Sequence, residues 1–198
     1  MALSKIAVIG WGSLIWDLEN LTPNIKGDWL MEAGPQLPME FSRISPKRKL
    51  GLVVCLDPEV GVGCQTNVIS SAKSDITQII DDLAARERAP LGLIGAVHAD
   101  GLKKGRMPEV TETVAAWCDA NGWDGAVWTD LEPNFSAHTQ QVFSIDAGIA
   151  YLRTLSGENL TEAFNYIENA PVQTRTPLRS ALAADDWWQS LKENGEAG

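Results

Sequence analysis

Apolar positions along this chain follow two periods, and the switches between them mark out the elements. Ile6, Ala7, Val8 and Ile9 form an unbroken apolar run of strand length, which predicts a buried strand, and a turn carrying Gly10, Gly12 and Ser13 ends it. Pro23, Gly27, Gly34, Pro35 and Pro38 punctuate residues 17–38, which read as irregular. Alternation then predicts a strand over 38–45, with Met39, Phe41 and Arg43 on one face, a mostly apolar strand over 50–56, and a third over 62–69. The turns between them are short, so the three read as an antiparallel meander, the wall of a barrel.

A helical period takes over at Ser74, the expected N-cap. Ile76, Ile79, Ile80 and Leu83 make the apolar stripe of a helix that runs to about Arg88 and stops before Pro90. A strand follows at 91–98. Pro108 opens a second helix that closes before Gly122, with Val110, Val114 and Trp117 on one face, and a short strand fills 125–129. From about residue 137 only helical patterns remain, over 140–155, 160–170 and 176–193. The expected fold is α+β: a small, mixed, largely antiparallel β-barrel over 1–136 with flanking helices. Residues 137–198 are read as a C-terminal helical extension packed on that same domain, because ~60 residues bury little core alone.

Composition narrows the function classes. The 198 residues, 44% apolar and 21% charged, are those of an ordinary globular chain. A net charge of −10 argues against nucleic acid or an anionic membrane surface, both of which need clustered Lys and Arg. Lys47, Arg48 and Lys49 are read as a solvated turn. The first apolar run is too short for a signal peptide, and no run approaches the ~18 apolar residues of a membrane span. With Cys55, Cys64 and Cys118 odd in number and without Cys-x-x-Cys spacing, the expected setting is a reducing cytoplasm with buried, inert thiols. Only His98 and His138 are present, so a histidine-rich metal site is not expected.

Four readings compete for the first turn. A dinucleotide fingerprint would need a third small residue where Ile15 stands, the helix after the loop is missing, and Trp11 fills the slot for a pyrophosphate. A nucleophile elbow would need Gly-x-Ser-x-Gly, and Ser13 has Gly12 directly beside it. What remains is either a glycine turn closing a hairpin or a loop whose glycines adopt positive φ and present uncovered N–H groups to an anion.

Further along, Glu87 lies at a helix end just before a break. It is either a surface carboxylate paired with Arg86 or Arg88, or, four residues after Leu83, a continuation of the apolar stripe. Apolar surroundings disfavour a charged carboxylate, which is what lets such a group exchange protons near neutral pH.

Two segments carry a resemblance. Gly10-Trp11-Gly12-Ser13-Leu14-Ile15-Trp16 resembles the Tyr-Gly-Ser-Leu-(Ile)-Trp loop of the γ-glutamylcyclotransferase-like family, in particular its glutathione-degrading bacterial branch, with Trp11 where the family has tyrosine. Asp82-Leu83-Ala84-Ala85-Arg86-Glu87 is similar to the Leu-x-x-Arg-Glu segment that holds the family's catalytic glutamate. The resemblance covers roughly residues 5–100 and keeps the family's order of elements. It implies a β-barrel enzyme without metal or cofactor that cyclises a γ-glutamyl group to 5-oxoproline and releases an amine, amino acid or dipeptide. Glu87 would be the general acid/base, and Trp11, Gly12, Ser13, Leu14 and Arg43 would contact the γ-glutamyl substrate.

Other residues keep two readings each. Arg43 lines the barrel mouth or is a surface arginine, and Trp11 and Trp16 wall the pocket or belong to the core. Residues 128–135 form a pocket loop or a strand-to-helix cap. Trp187 and Trp188 suggest a docking face, a candidate homodimer contact. The competing function class is a non-catalytic small-molecule binding or regulatory module on the same barrel.

Overall fold

The computed structural model describes residues 4–193. Its strands are β1 (Ile6–Gly10), β2 (Ile25–Leu30), β3 (Gln36–Ser45), β4 (Gly51–Leu56), β5 (Val62–Gln65), β6 (Asn67–Ser71), β7 (Ile94–His98), β8 (Lys103–Lys104) and β9 (Gly125–Thr129). The helices are α1 (Ile76–Glu87), α2 (Pro108–Asn121), α3 (Phe135–Thr139), α4 (Ile145–Thr154), α5 (Gly157–Asn169), α6 (Pro177–Ala183) and α7 (Asp186–Glu193). The class is α+β. The chain divides into two compact units, each discontinuous in sequence: 1–37 with 65–131, and 38–64 with 132–198.

In the first unit a mixed six-stranded sheet runs in the order β2-β6-β1-β9-β7-β8. Strand β1 pairs antiparallel with β6, Val8 opposite Ile69, and parallel with β9, Val8 opposite Val127. Ile6, Val8, Ile69, Ile94, Ala96 and Val127 pack against Ile76, Ile79, Ile80 and Leu83 of α1. Alternation turns Ala126 and Trp128 to the opposite face, where α2 lies on β7 and β9. Cover on both faces is why β1 is a continuous apolar run. Helix α2 has the expected bounds, with Pro108 in its first turn and Gly122 left-handed at φ 68°. Helix α1 begins one residue later than expected: Asp75, not Ser74, is the cap, its carboxylate accepting from Thr77 N–H at 2.9 Å.

Strand β2 was hidden in residues read as irregular. Gly27 sits at φ 77° and the pairing with β6 shifts register between Lys26 and Leu30, so the strand shows no clean alternation. Its Trp29 matters for β1, because a Cβ on Gly10 would lie 2.7 Å from the Trp29 ring.

The second unit is built on a three-stranded sheet of order β4-β3-β5. The third strand therefore pairs with the first rather than extending a meander. It also stops at Thr66, beyond which the chain becomes β6 of the larger sheet. Both β3–β4 faces are largely buried, and α5 packs on β4 so closely that a Cβ on Gly51 would meet Ala163 at 3.0 Å. The basic turn faces solvent and is also ion-paired: Arg48 pairs with Glu162 at 3.2 Å and exposed Lys49 with exposed Glu158. The expected last helix is two, α6 and α7. Trp188 is fully buried, 4.9 Å from the Phe164 ring, and donates to Glu168 at 2.8 Å, so it offers no docking face; Trp187 lies under Arg153. No helix of the described residues is long and apolar enough to cross a membrane.

Candidate active site

Strands β1 and β9 are neighbours and parallel, so their carboxyl ends lie side by side. The chain leaves β1 into a one-turn 3-10 helix, Ser13–Ile15, closed by Ile15 N–H to the Gly12 carbonyl at 3.0 Å. The amides of Gly12, Ser13 and Leu14 precede the first bond of that helix and have no acceptor within it. Neither glycine needs the positive φ expected of the turn. Gly10 is required for room under Trp29, and Gly12 has a negative φ of −129° with ψ −137°. Trp11 is buried at 5% exposure, whereas Trp16 is exposed.

Helix α1 brings Glu87 to this corner, but Arg86 is its buried residue. Ile79, Leu83 and Arg86 follow the spacing of the inner stripe, and Arg86 is 1% exposed. Its Nη1 donates to Glu87 Oε1 at 2.8 Å; its Nη2 donates to Ser13 Oγ at 3.3 Å and to the Asp17 carbonyl. Thr129, the last residue of β9, donates its hydroxyl to Glu87 Oε1 at 3.3 Å. Glu87 Oε2 has no hydrogen bond among the described residues, and 13% of the side chain remains accessible. Glu87 is therefore a carboxylate fixed through one oxygen by a guanidinium and a hydroxyl, with the other oxygen open. Of the two readings of Glu87, the pairing with Arg86 is what the structure has, at a partly buried corner beside the first turn; the inner stripe continues through Arg86 and not through Glu87. Arg88 turns away, left-handed at φ 54° and 3.6 Å from Glu19.

Beyond Thr129, the Asp130 carboxyl is 1% exposed, and burial pushes its pKa above the usual carboxylate range. Oδ2 accepts from Arg106 N–H at 2.5 Å, while Oδ1 lies 3.8 Å from the Arg106 guanidinium. The Arg106 side chain also donates to the carbonyls of Asp130, at 3.2 Å, and Leu131, at 3.4 Å. Residues 129–131 are thus a held strand end.

Trp11, Gly12, Ser13, Leu14 and Glu87 all fall in the first unit, with Ser13 and Glu87 joined through Arg86. Arg43 belongs to the second unit, where its guanidinium donates to the Glu132 carbonyl. The cysteines are buried and none is in a disulfide, and burial pushes the Cys118 thiol up to about 12. No cluster of three or more His, Cys, Asp or Glu suited to a metal occurs among the described residues. Arg86 and Thr129 were not assigned roles from sequence. The signal for Arg86 was its place three residues after Leu83; Thr129 lies in the 128–135 segment read as a pocket loop or a strand-to-helix cap. Comparison of the chain with family models, with curated proteins and with solved structures finds no match.

Proposed function

We propose that this site cyclises γ-glutamyl compounds without a cofactor, with Glu87 as general base and then acid. The observation that carries the reading is the convergence of the first turn and Glu87 on one buried guanidinium, with Oε2 of Glu87 left open. The amides of Gly12, Ser13 and Leu14 seat the substrate α-carboxylate, which holds the α-nitrogen toward the γ-carbonyl. Glu87 takes a proton from the α-ammonium, and the freed nitrogen attacks the γ-carbonyl carbon. A ring C–N bond forms, the bond to the leaving nitrogen breaks, and Glu87 returns a proton to that nitrogen. Over the cycle the ring nitrogen loses two protons and the leaving amine gains two, so Glu87 ends ionised. A γ-glutamylcyclotransferase-like barrel is part of the same proposal, as is a small-molecule γ-glutamyl partner.

Release of 5-oxoproline from glutathione, γ-glutamyl amino acids and γ-glutamylamines tests the reading in wild type and Glu87→Gln. The expected result is release by wild type and a loss of about 10²–10⁴-fold in the variant, the usual size of a general acid/base contribution. Turnover untouched by the substitution would remove Glu87 from the chemistry. A folded wild type that binds 5-oxoproline yet releases none from any substrate would favour the non-catalytic binding module.

A further inference from the structure

A guanidinium that is 1% exposed needs a counter-charge, and Glu87 Oε1 supplies it at 2.8 Å. This arrangement creates a problem during turnover. When Glu87 accepts the substrate's proton, the Glu87 charge that offsets Arg86 disappears. The other end of the same guanidinium, Nη2, is on Ser13 Oγ at 3.3 Å and on the Asp17 carbonyl, so it contacts the turn whose amides face the substrate carboxylate. A carboxylate seated on that turn restores negative charge near Arg86 as Glu87 loses it.

We infer that Arg86 is a positioning residue that couples occupancy of the first turn to proton uptake by Glu87. The inference rests on the cyclising reading of the site and adds a substrate requirement. The α-carboxylate is needed for the chemical step and not only for binding, which restricts the substrates to γ-glutamyl amides whose glutamyl α-carboxylate is free. Coupling of this kind is reciprocal: an anion on the turn favours protonation of Glu87, and protonation favours the anion. Neither Asp130 nor Arg106 substitutes for Arg86, because they engage each other and the strand end.

Steady-state kinetics of γ-glutamyl-alanine and its α-carboxamide analogue, on wild type, Arg86→Gln and Arg86→Lys, test this. In wild type the carboxamide should lose about tenfold or more in kcat, within the range of inter-site coupling, with a smaller change in KM. Arg86→Gln should abolish that difference by lowering kcat for the carboxylate substrate alone, and Arg86→Lys should restore part of it. Losses that simply multiply, or that fall only on KM, would overturn the coupling while leaving the cyclising reading intact.

Amide hydrogen exchange of residues 13–17 in ligand-free Glu87→Gln is the second measurement. Glu87→Gln should speed exchange there, because Arg86 loses its bond to the Glu87 carboxylate. Wild-type exchange rates in that variant would overturn the coupling even if no substrate were turned over. The absence of 5-oxoproline together with accelerated exchange would sink the activity and keep the link.

Discussion

Arg86 in the first unit and Glu40 in the second are both 1% exposed, yet their partners differ in kind. Glu40 is committed to fixing backbone and a cap: Oε1 accepts from Phe41 N–H at 2.7 Å, Oε2 from Leu178 N–H at 3.2 Å, and the Thr176 hydroxyl adds a third bond. Nearby, Arg179 donates to the carbonyls of Pro171, Thr174, Glu168 and Ala170, which holds the chain between α5 and α6. Arg86 also reaches one main-chain carbonyl, that of Asp17, but it engages side chains from two elements as well, and its carboxylate partner keeps an open oxygen. A buried charge bonded only to main chain fixes the fold; a buried charge whose carboxylate partner keeps an oxygen without a hydrogen bond is where the proposed chemistry is placed.

The contrast breaks most visibly at Glu87. Glu87→Gln should cost about 10²–10⁴-fold in turnover, and the melting temperature should fall less than in any Arg179 variant. Arg179→Met should do the reverse: about 2–4 kcal/mol of stability lost as buried carbonyls go unpaired, measured by urea unfolding, with 5-oxoproline release per folded molecule unchanged.

Glu40→Gln sharpens the comparison through pH. Replacing Oε2 with an amide that faces Leu178 N–H should cost about 1–3 kcal/mol. Burial raises the Glu40 pKa above its unfolded value, so its stabilising contribution is fully present in acid, below the unfolded value, and is lost as pH rises through the folded value. Wild type should therefore hold its largest stability advantage over Glu40→Gln in acid, and thermal melts should show that advantage shrinking as pH rises. A constant difference would place the ionisation of Glu40 elsewhere. The smallest effect is expected at Arg88, left-handed at the end of α1. Arg88→Gly should stabilise by about 0.5–1 kcal/mol by removing the Cβ conflict, seen as a raised urea midpoint with turnover retained.

Local rules read from the sequence were sufficient for much of the first unit. An apolar run for β1, Pro108 and Gly122 around α2, and the stripe of α1 all describe forces acting within a few residues. They failed where the deciding force was distant. Strand β2 forms because β6 offers it an edge, despite Gly27 and Asp28. The strand read over 62–69 breaks because buried Thr66 donates its hydroxyl to the Pro35 carbonyl at 2.7 Å, and no alternation registers that. At the site, the turn and Glu87 were legible as motifs. The residue linking them looked like a surface arginine because a charge on an inner stripe is usually read as an interruption. Trp188 failed for the opposite reason: a tryptophan pair near a chain end suggests an exposed face until Phe164 and Glu168 are placed against it.

The discontinuous partition has a consequence for synthesis on the ribosome. Residues 38–64 emerge early, but the helices that cover β3 and β4 emerge only after residue 132. The large sheet is complete once β9 has appeared, so the first unit can close while this apolar hairpin still lacks its cover. For the time needed to make some sixty further residues, at about 5–20 per second, the nascent chain carries an exposed sticky segment. Truncation after residue 136 would make that interval permanent and yield a chaperone client or an aggregate instead of a minimal enzyme.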